Sequence, residues 1–116
     1  MLKLLLRAPI VKACNAGHVE VSVVIATCNR PILVWEAVES IRNQTIRDWE
    51  LLVVDDASDD GVVDGLRSRL SGDKRCRLVC NRIRVGPAQA FNQGIREALG
   101  RLIAIMGDDD IALPAR

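Results

Sequence analysis

Tyrosine is absent from this chain of 116 residues, and the aromatic residues it does have are one Phe and two Trp. Bases would find few rings to stack on, and a net charge of +1, with basic and acidic residues interspersed, provides no basic stripe. Both features argue against a nucleic-acid partner. A single histidine, His18, and four cysteines without a CxxC pair leave no zinc pattern. Cys76 and Cys80 fall on a predicted strand, where residues four apart lie roughly 13 Å from each other, too far to grip one ion. With Cys14 and Cys28 they are expected as free thiols in a reducing compartment. No apolar run approaches the roughly 20 residues of a membrane-spanning helix. Met1–Arg7 resembles a signal peptide only faintly, because its apolar run is short and Arg7 and Lys12 interrupt the region. A cytoplasmic location is the expectation, with peripheral membrane contact left open. Neither GxGxxG nor GxxxxGK[ST] occurs after the first strand, so the dinucleotide and P-loop phosphate cradles are missing.

What is present is a chain able to build a core, with 49% hydrophobic and 27% charged residues and a length that fits one domain or part of one. Residues 1–18 read as a loosely ordered leader, and residues 19–116 as the domain. Strands are predicted to begin near Val21, Glu50, Arg77 and Arg101, with helices between them. Pro31 suits the first turn of the first helix, Asn29 its cap, and Val34, Val38 and Ile41 its inner face. Ser58 or Asp59 caps the second helix, which turns Val62, Val63, Leu66 and Leu70 inward. Pro87 opens the third, with Phe91, Ile95, Ala98 and Leu99 on one face and Gly100 as its stop. Leu113–Arg116 reads as the start of another helix. Strand–helix alternation at this spacing implies βαβ units and a Rossmann-like open parallel sheet of the α/β class, with helices on both faces.

The polar residues concentrate where that architecture binds ligands. Thr27 and Asn29 follow the first strand, Asp55 and Asp56 the second, and Asp108, Asp109 and Asp110 the fourth. All three groups belong at the carboxyl edge of the sheet. Three adjacent carboxylates repel one another, and a hard divalent cation such as Mn2+ or Mg2+ relieves the repulsion. A solvated acidic turn is the plainer alternative. Asp55-Asp56-Ala57-Ser58 is either a strand exit with a helix cap or a carboxylate placed to accept from a nucleobase N–H. Arg82 and Arg84 are either solvated loop charges or phosphate partners, and Gly86-Pro87 either punctuation or a helix terminus a ligand can approach.

These stretches resemble the family 2 glycosyltransferases of GT-A fold. Val21–Arg30 looks like their opening strand, Leu52–Gly61 their second strand with its Asp-Asp-x-Ser turn, and Asn81–Gly94 their Asn-x-x-x-x-Gly-x-x-x-Ala-x-Asn-x-Gly segment. Gly100–Pro114 resembles the strand that leads to the DxD motif. The resemblance implies a nucleotide-diphosphate sugar donor, a UDP-sugar above all, held with Mn2+ or Mg2+, as in cell envelope polysaccharide assembly. It implies donor contacts from Ala26, Thr27, Asn29, Arg30, Asp55, Asp56, Gly86, Asn92 and Asp108, and metal contacts from Asp109 and Asp110. Two departures stand out. The family's Pro-Thr-Tyr-Asn is Ala26-Thr27-Cys28-Asn29 here, and the DxD pair falls on Gly107 and Asp109 in one register and on Asp108 and Asp110 in another. The resemblance stops before the family's acceptor segment and catalytic base. The expectation is therefore a truncated GT-A sheet, a donor-binding half incomplete for catalysis that self-associates through its exposed sheet. The alternatives are a non-enzymatic α/β module that binds nucleotide or metal, and a nucleotidyltransferase, which the missing phosphate loop disfavours.

Overall fold

A computed structural model describes residues 3–6 and 19–114. Five strands, β1 (Lys3–Leu6), β2 (Val21–Thr27), β3 (Trp49–Asp56), β4 (Cys76–Asn81) and β5 (Leu102–Gly107), form one sheet in the order β1-β5-β2-β3-β4. β2 to β5 are mutually parallel, and β1 pairs antiparallel on the outside of β5. Three helices, α1 (Pro31–Arg42), α2 (Asp60–Leu70) and α3 (Pro87–Glu97), make the crossovers. The four predicted strands begin within a residue of where the apolar runs place them.

Alternation along the central strands separates two cores. Val23, Ile25, Leu51 and Val53 face α1 and α2, meeting Val34, Ala37, Val38, Ile41, Leu66 and Leu70. Val24, Leu52 and Val54 face the other way, toward Ala90 of α3. β3 has partners on both edges and helices over both faces, and all eight of its residues are buried, as a continuous apolar run in a parallel sheet requires. α3 comes close to the sheet because Gly94 carries no side chain. A Cβ there would stand 2.3 Å from Val24 Cγ1.

Several expectations are corrected. α3 ends at Glu97, with Ala98 already extended, so Leu99 leaves the inner face and is 49% exposed. Gly100 is not a helix stop. It sits against the start of β2, where a Cβ would lie 2.5 Å from Ser22 Oγ and 2.6 Å from Ser22 N. The turn is held from below by a buried polar group. Glu50 Oε1 accepts from Leu99 N–H (2.6 Å) and from Ser22 Oγ (2.6 Å), and Ser22 Oγ accepts from Gly100 N–H (2.7 Å). Arg77 completes the group with a 3.0 Å ion pair to Glu50. Of the expected leader, Lys3–Leu6 forms β1, a strand no period-two pattern announced, and residues 1, 2 and 7–18 lie outside the described residues. Ile111–Pro114 is not helical, and Ala115 and Arg116 lie outside the described residues.

Replacing Gly100 by Ala should destabilise the fold by about 1–3 kcal/mol, the usual cost of forcing an extra methyl into a filled space. Gly72, with nothing within 4 Å of an added Cβ, is the control. Denaturant unfolding of the two variants checks this, and equal midpoints would refute the close approach.

Candidate functional site

β2 is the point where the strand order reverses. The chain leaves it through α1 toward β3 on one side and returns through α3 to β5 on the other. Open α/β sheets bind ligands in the crevice at such a point. The parallel register sets Ala26 beside Gly107 and Thr27 beside Asp55. A cavity of about 260 Å³ opens at this edge, lined by residues that include Ala26, Thr27, Arg30, Asp56 and Asp108. The remaining lining comes from Cys28, Arg84, Pro87, Ala90, Phe91 and Gly107. Of these, Arg84 carried a phosphate alternative in the sequence. Phe91 reads as core by its helical spacing, and only the close seating of α3 brings it to the cavity wall.

The two adjacent aspartates after β3 do different jobs. Asp55 is fully buried and turns away from the cavity. Its Oδ1 and Oδ2 accept from Ser58 Oγ (2.6 Å) and Ser58 N–H (2.9 Å). This closes a turn through Ala57, which is held at the left-handed φ of 63°. Asn29, expected as a helix cap, instead joins this turn to the loop after β2. Its N–H donates to Ser58 Oγ (2.8 Å), and its Oδ1 accepts from Asp59 N–H (2.9 Å). The capping position of α1 is Arg30, with no side-chain cap bond. Asp56, one residue on, points to the opposite side and lines the cavity. Its Oδ1 accepts from Asn81 Nδ2 (3.2 Å) and Val85 N–H (2.9 Å), and its Oδ2 from Gly86 N–H (2.9 Å). Gly86 has a φ of 92°, which an L side chain resists, and so turns its N–H onto Asp56 and opens α3. Asn92 lies on the exposed side of α3, outside the cavity lining.

The acidic turn is divided in the same way. Asp108 Oδ2 accepts from Thr27 Oγ1 (2.9 Å), and Arg30 Nη1 stands 3.3 Å from Asp108 Oδ1 and 4.0 Å from Asp109 Oδ2. Asp110 folds back on the end of β5, where its Oδ2 accepts from Gly107 N–H (3.1 Å) and its own N–H donates to Gly107 O (3.1 Å). Asp109 is the most open of the triplet, with a side chain 61% exposed.

The profile of glycosyl transferase family 2 matches residues 22–116. The chain belongs to this family. It is 37% identical over 112 residues to an uncharacterized glycosyltransferase of Rickettsia felis, covering 89% of this chain and 18% of that protein. It is 34% identical over 91 residues to the UDP-Glc:alpha-D-GlcNAc-diphosphoundecaprenol beta-1,3-glucosyltransferase of Escherichia coli, covering 78% and 35%. Among solved structures it superposes on a mannosyltransferase of Pyrobaculum calidifontis in complex with GDP-Man and Mn2+, with a TM-score of 0.73 and 29% identity, covering 83% of this chain and 29% of that one. The chain thus spans about a fifth to a third of the length of these relatives. Its sheet is that of the family's GT-A fold.

The donor set at the acidic turn suits a hard cation that a ligand helps to hold. Among the described residues no three His, Cys, Asp or Glu side chains converge on one point. Mg2+, and with it Mn2+, is commonly held by one or two carboxylates with phosphate oxygens completing the shell. Asp109 and the cavity-facing Asp108 fit that pattern. Cys28, Cys76 and Cys80 are free thiols, as expected, and Cys14 lies outside the described residues.

Burial works to raise the Asp56 pKa, but the hydrogen bonds from Val85, Asn81 and Gly86 and the charge of Arg84 outweigh it, and the net shift is downward. A carboxylate with a folded pKa below its unfolded one stabilises the fold fully above the unfolded value near 4, and that contribution is lost as pH falls through the folded value. Asp56→Asn should therefore be less stable than the parent at pH 7, with the gap narrowing below pH 4. Thermal melts from pH 7 down to pH 3 check this, and a gap constant with pH would contradict it.

Proposed function

We propose that this domain binds the nucleotide-diphosphate sugar of a glycosyl transfer, with UDP-sugar as donor class and Mn2+ or Mg2+ as the cation. The observation that carries the reading is the hydrogen-bond state of Asp56. A carboxylate has about four acceptor positions, and three are filled by Asn81, Val85 and Gly86. The one left belongs to Oδ2. Uracil presents a single donor, N3–H, between two carbonyl oxygens, and Arg84 lies in the same cavity to meet a carbonyl. Guanine presents two donors side by side and would leave one buried without a partner, which costs about 1–3 kcal/mol. Ala26, Pro87, Ala90 and Phe91 supply apolar walls for the base. The donor named in the Escherichia coli relative, UDP-Glc, agrees with this reading. The GDP-Man held by the Pyrobaculum relative makes the base a real question for the experiment.

Toward the diphosphate, Asp108 is placed by Thr27 to approach the ribose. Asp109, with Asp108 beside it, would share a shell of metal and phosphate oxygens, whereas Asp110, the other expected metal contact, is turned back onto Gly107. With a cation bound there, the charge of the departing nucleotide diphosphate is offset. Thr27, Asn29, Arg30, Asp55, Asp56 and Gly86 take part unequally. Asn29, Asp55 and Gly86 shape the walls through their hydrogen bonds, whereas Thr27, Arg30 and Asp56 line the cavity. The relatives are several times longer than this chain. No described helix is long and apolar enough to cross a membrane, and among the described residues β4 has an unpaired outer edge through which copies of this domain would associate.

Calorimetric titration with UDP and GDP, each with and without Mn2+, tests the reading. UDP should bind more tightly than GDP by at least tenfold, the equivalent of about 1.4 kcal/mol. Asp109→Ala should lose the gain from Mn2+, and Asp56→Ala should lose about 1–3 kcal/mol whether metal is present or not. A folded protein that binds neither nucleotide would refute donor binding, and equal affinity for both would refute the base assignment.

A further inference from the structure

The acidic turn is already neutralised in part by the chain itself. Arg30 bridges Asp108 and Asp109 from the wall of the cavity, and its guanidinium stands against the carboxylate oxygens that a divalent ion would need. The two cations cannot share those oxygens, because like charges at contact distance repel. The bridge is weakly held. The Arg30 side chain is 53% exposed against 12% for Asp108, so solvent screens the guanidinium, and pairs screened in this way contribute only about 0.2–1 kcal/mol. A diphosphate in the cavity would offer Arg30 a better partner, since the guanidinium fork binds phosphate oxygens in pairs.

We propose that Arg30 is a displaceable counter-ion that closes the Asp108–Asp109 pair to metal until a nucleotide diphosphate draws it away. This rests on the donor-binding reading above. The consequence is a positive linkage between nucleotide and metal. Each tightens the other by the same factor, as thermodynamic reciprocity requires, and Arg30 supplies part of that factor. Arg30 acts here as a positioning residue, holding the carboxylates in one state and the phosphates in the other.

The test reads metal uptake, not transfer. Free Mn2+ is followed by electron paramagnetic resonance during titration of the wild type, Arg30→Gln and Arg30→Lys at low ionic strength, with and without UDP. Without UDP, Arg30→Gln should bind Mn2+ more tightly than the wild type, by up to about fivefold, the factor equivalent to an exposed ion pair. The factor by which UDP tightens Mn2+ should shrink correspondingly, and UDP alone should bind Arg30→Gln more weakly. Arg30→Lys, which keeps the charge without the fork, should fall between the two. Equal or weaker Mn2+ uptake by Arg30→Gln, including none by any of the three proteins, would overturn the proposal. A wild type that takes up Mn2+ but shows no response to UDP would instead refute the donor reading. The comparison of Mn2+ affinities without nucleotide judges the counter-ion separately. Arg30 makes no side-chain cap bond to α1, so both variants should fold, and a thermal melt verifies it.

Discussion

The pairing of β2 with β5 is the contact on which the rest of the site depends. These strands lie far apart in the chain, yet their parallel register brings Ala26 alongside Gly107. Only then can Thr27 donate to Asp108 across 81 positions of sequence. Parallel pairing also puts every exit loop at one edge, so polar residues from β2, β3 and β5 meet there without any long-range polar contact being needed to assemble them. The energy behind that geometry is apolar. β3 is buried along its whole length, and its neighbours interleave with helices on both faces.

Carboxylates are crowded at this edge, and the structure handles each differently. Asp55 is fully buried and satisfied by Ser58. Asp56 is nearly as buried, yet lines the cavity and is held ionised by three donors. Asp108 leans on Thr27 and Arg30, Asp110 folds onto Gly107, and Asp109 faces solvent. Repulsion within the triplet is thus relieved by different partners: Thr27 and Arg30 for Asp108, the Gly107 N–H for Asp110, and solvent with Arg30 for Asp109. The two βα loops on the β3 side are locked to each other by Asn29 and Ser58, whereas the β5 side is tied to the end of β2 by the Thr27–Asp108 hydrogen bond and to Arg30 by an ion pair whose guanidinium is open to solvent.

How much of this was legible in the sequence depended on how local the signal was. The β-branched and apolar runs announced the four parallel strands, and Pro31 and Pro87 the starts of α1 and α3. The gathering of Thr27, Asp56 and Asp108 at one edge followed from topology, whereas Arg30 came only with the family resemblance. Asp55 and Asp56 could not be told apart before the register was known, because successive strand residues point to opposite faces. Asn29 looked like a cap because its residue type favours caps, but a partner 29 positions away claimed its N–H. Leu99 looked like core because a helical period was carried past the true end of α3, which the buried Glu50 sets by binding the Leu99 N–H. β1 has only four residues, too few for a pattern to declare, and its place is decided by the open edge of β5.

Glycine placement shows the same division between local and distant causes. Gly86 is needed for its own backbone, since a φ of 92° is what turns its N–H toward Asp56. Gly94 and Gly100 are needed for what lies across from them, Val24 in one case and the Ser22 backbone in the other. The first requirement is visible in a short motif. The second appears only when β2 is laid beside α3 and the turn into β5. Both serve one end, because Gly86 aims the Asp56 carboxylate from above while Gly94 and Gly100 let α3 and its following turn sit close enough to carry Ala90 and Phe91 to the cavity wall. A methyl group at Gly94 would push α3 away from Val24 and so move that wall outward, whereas one at Gly100 would crowd the Ser22 hydroxyl and backbone at the start of β2.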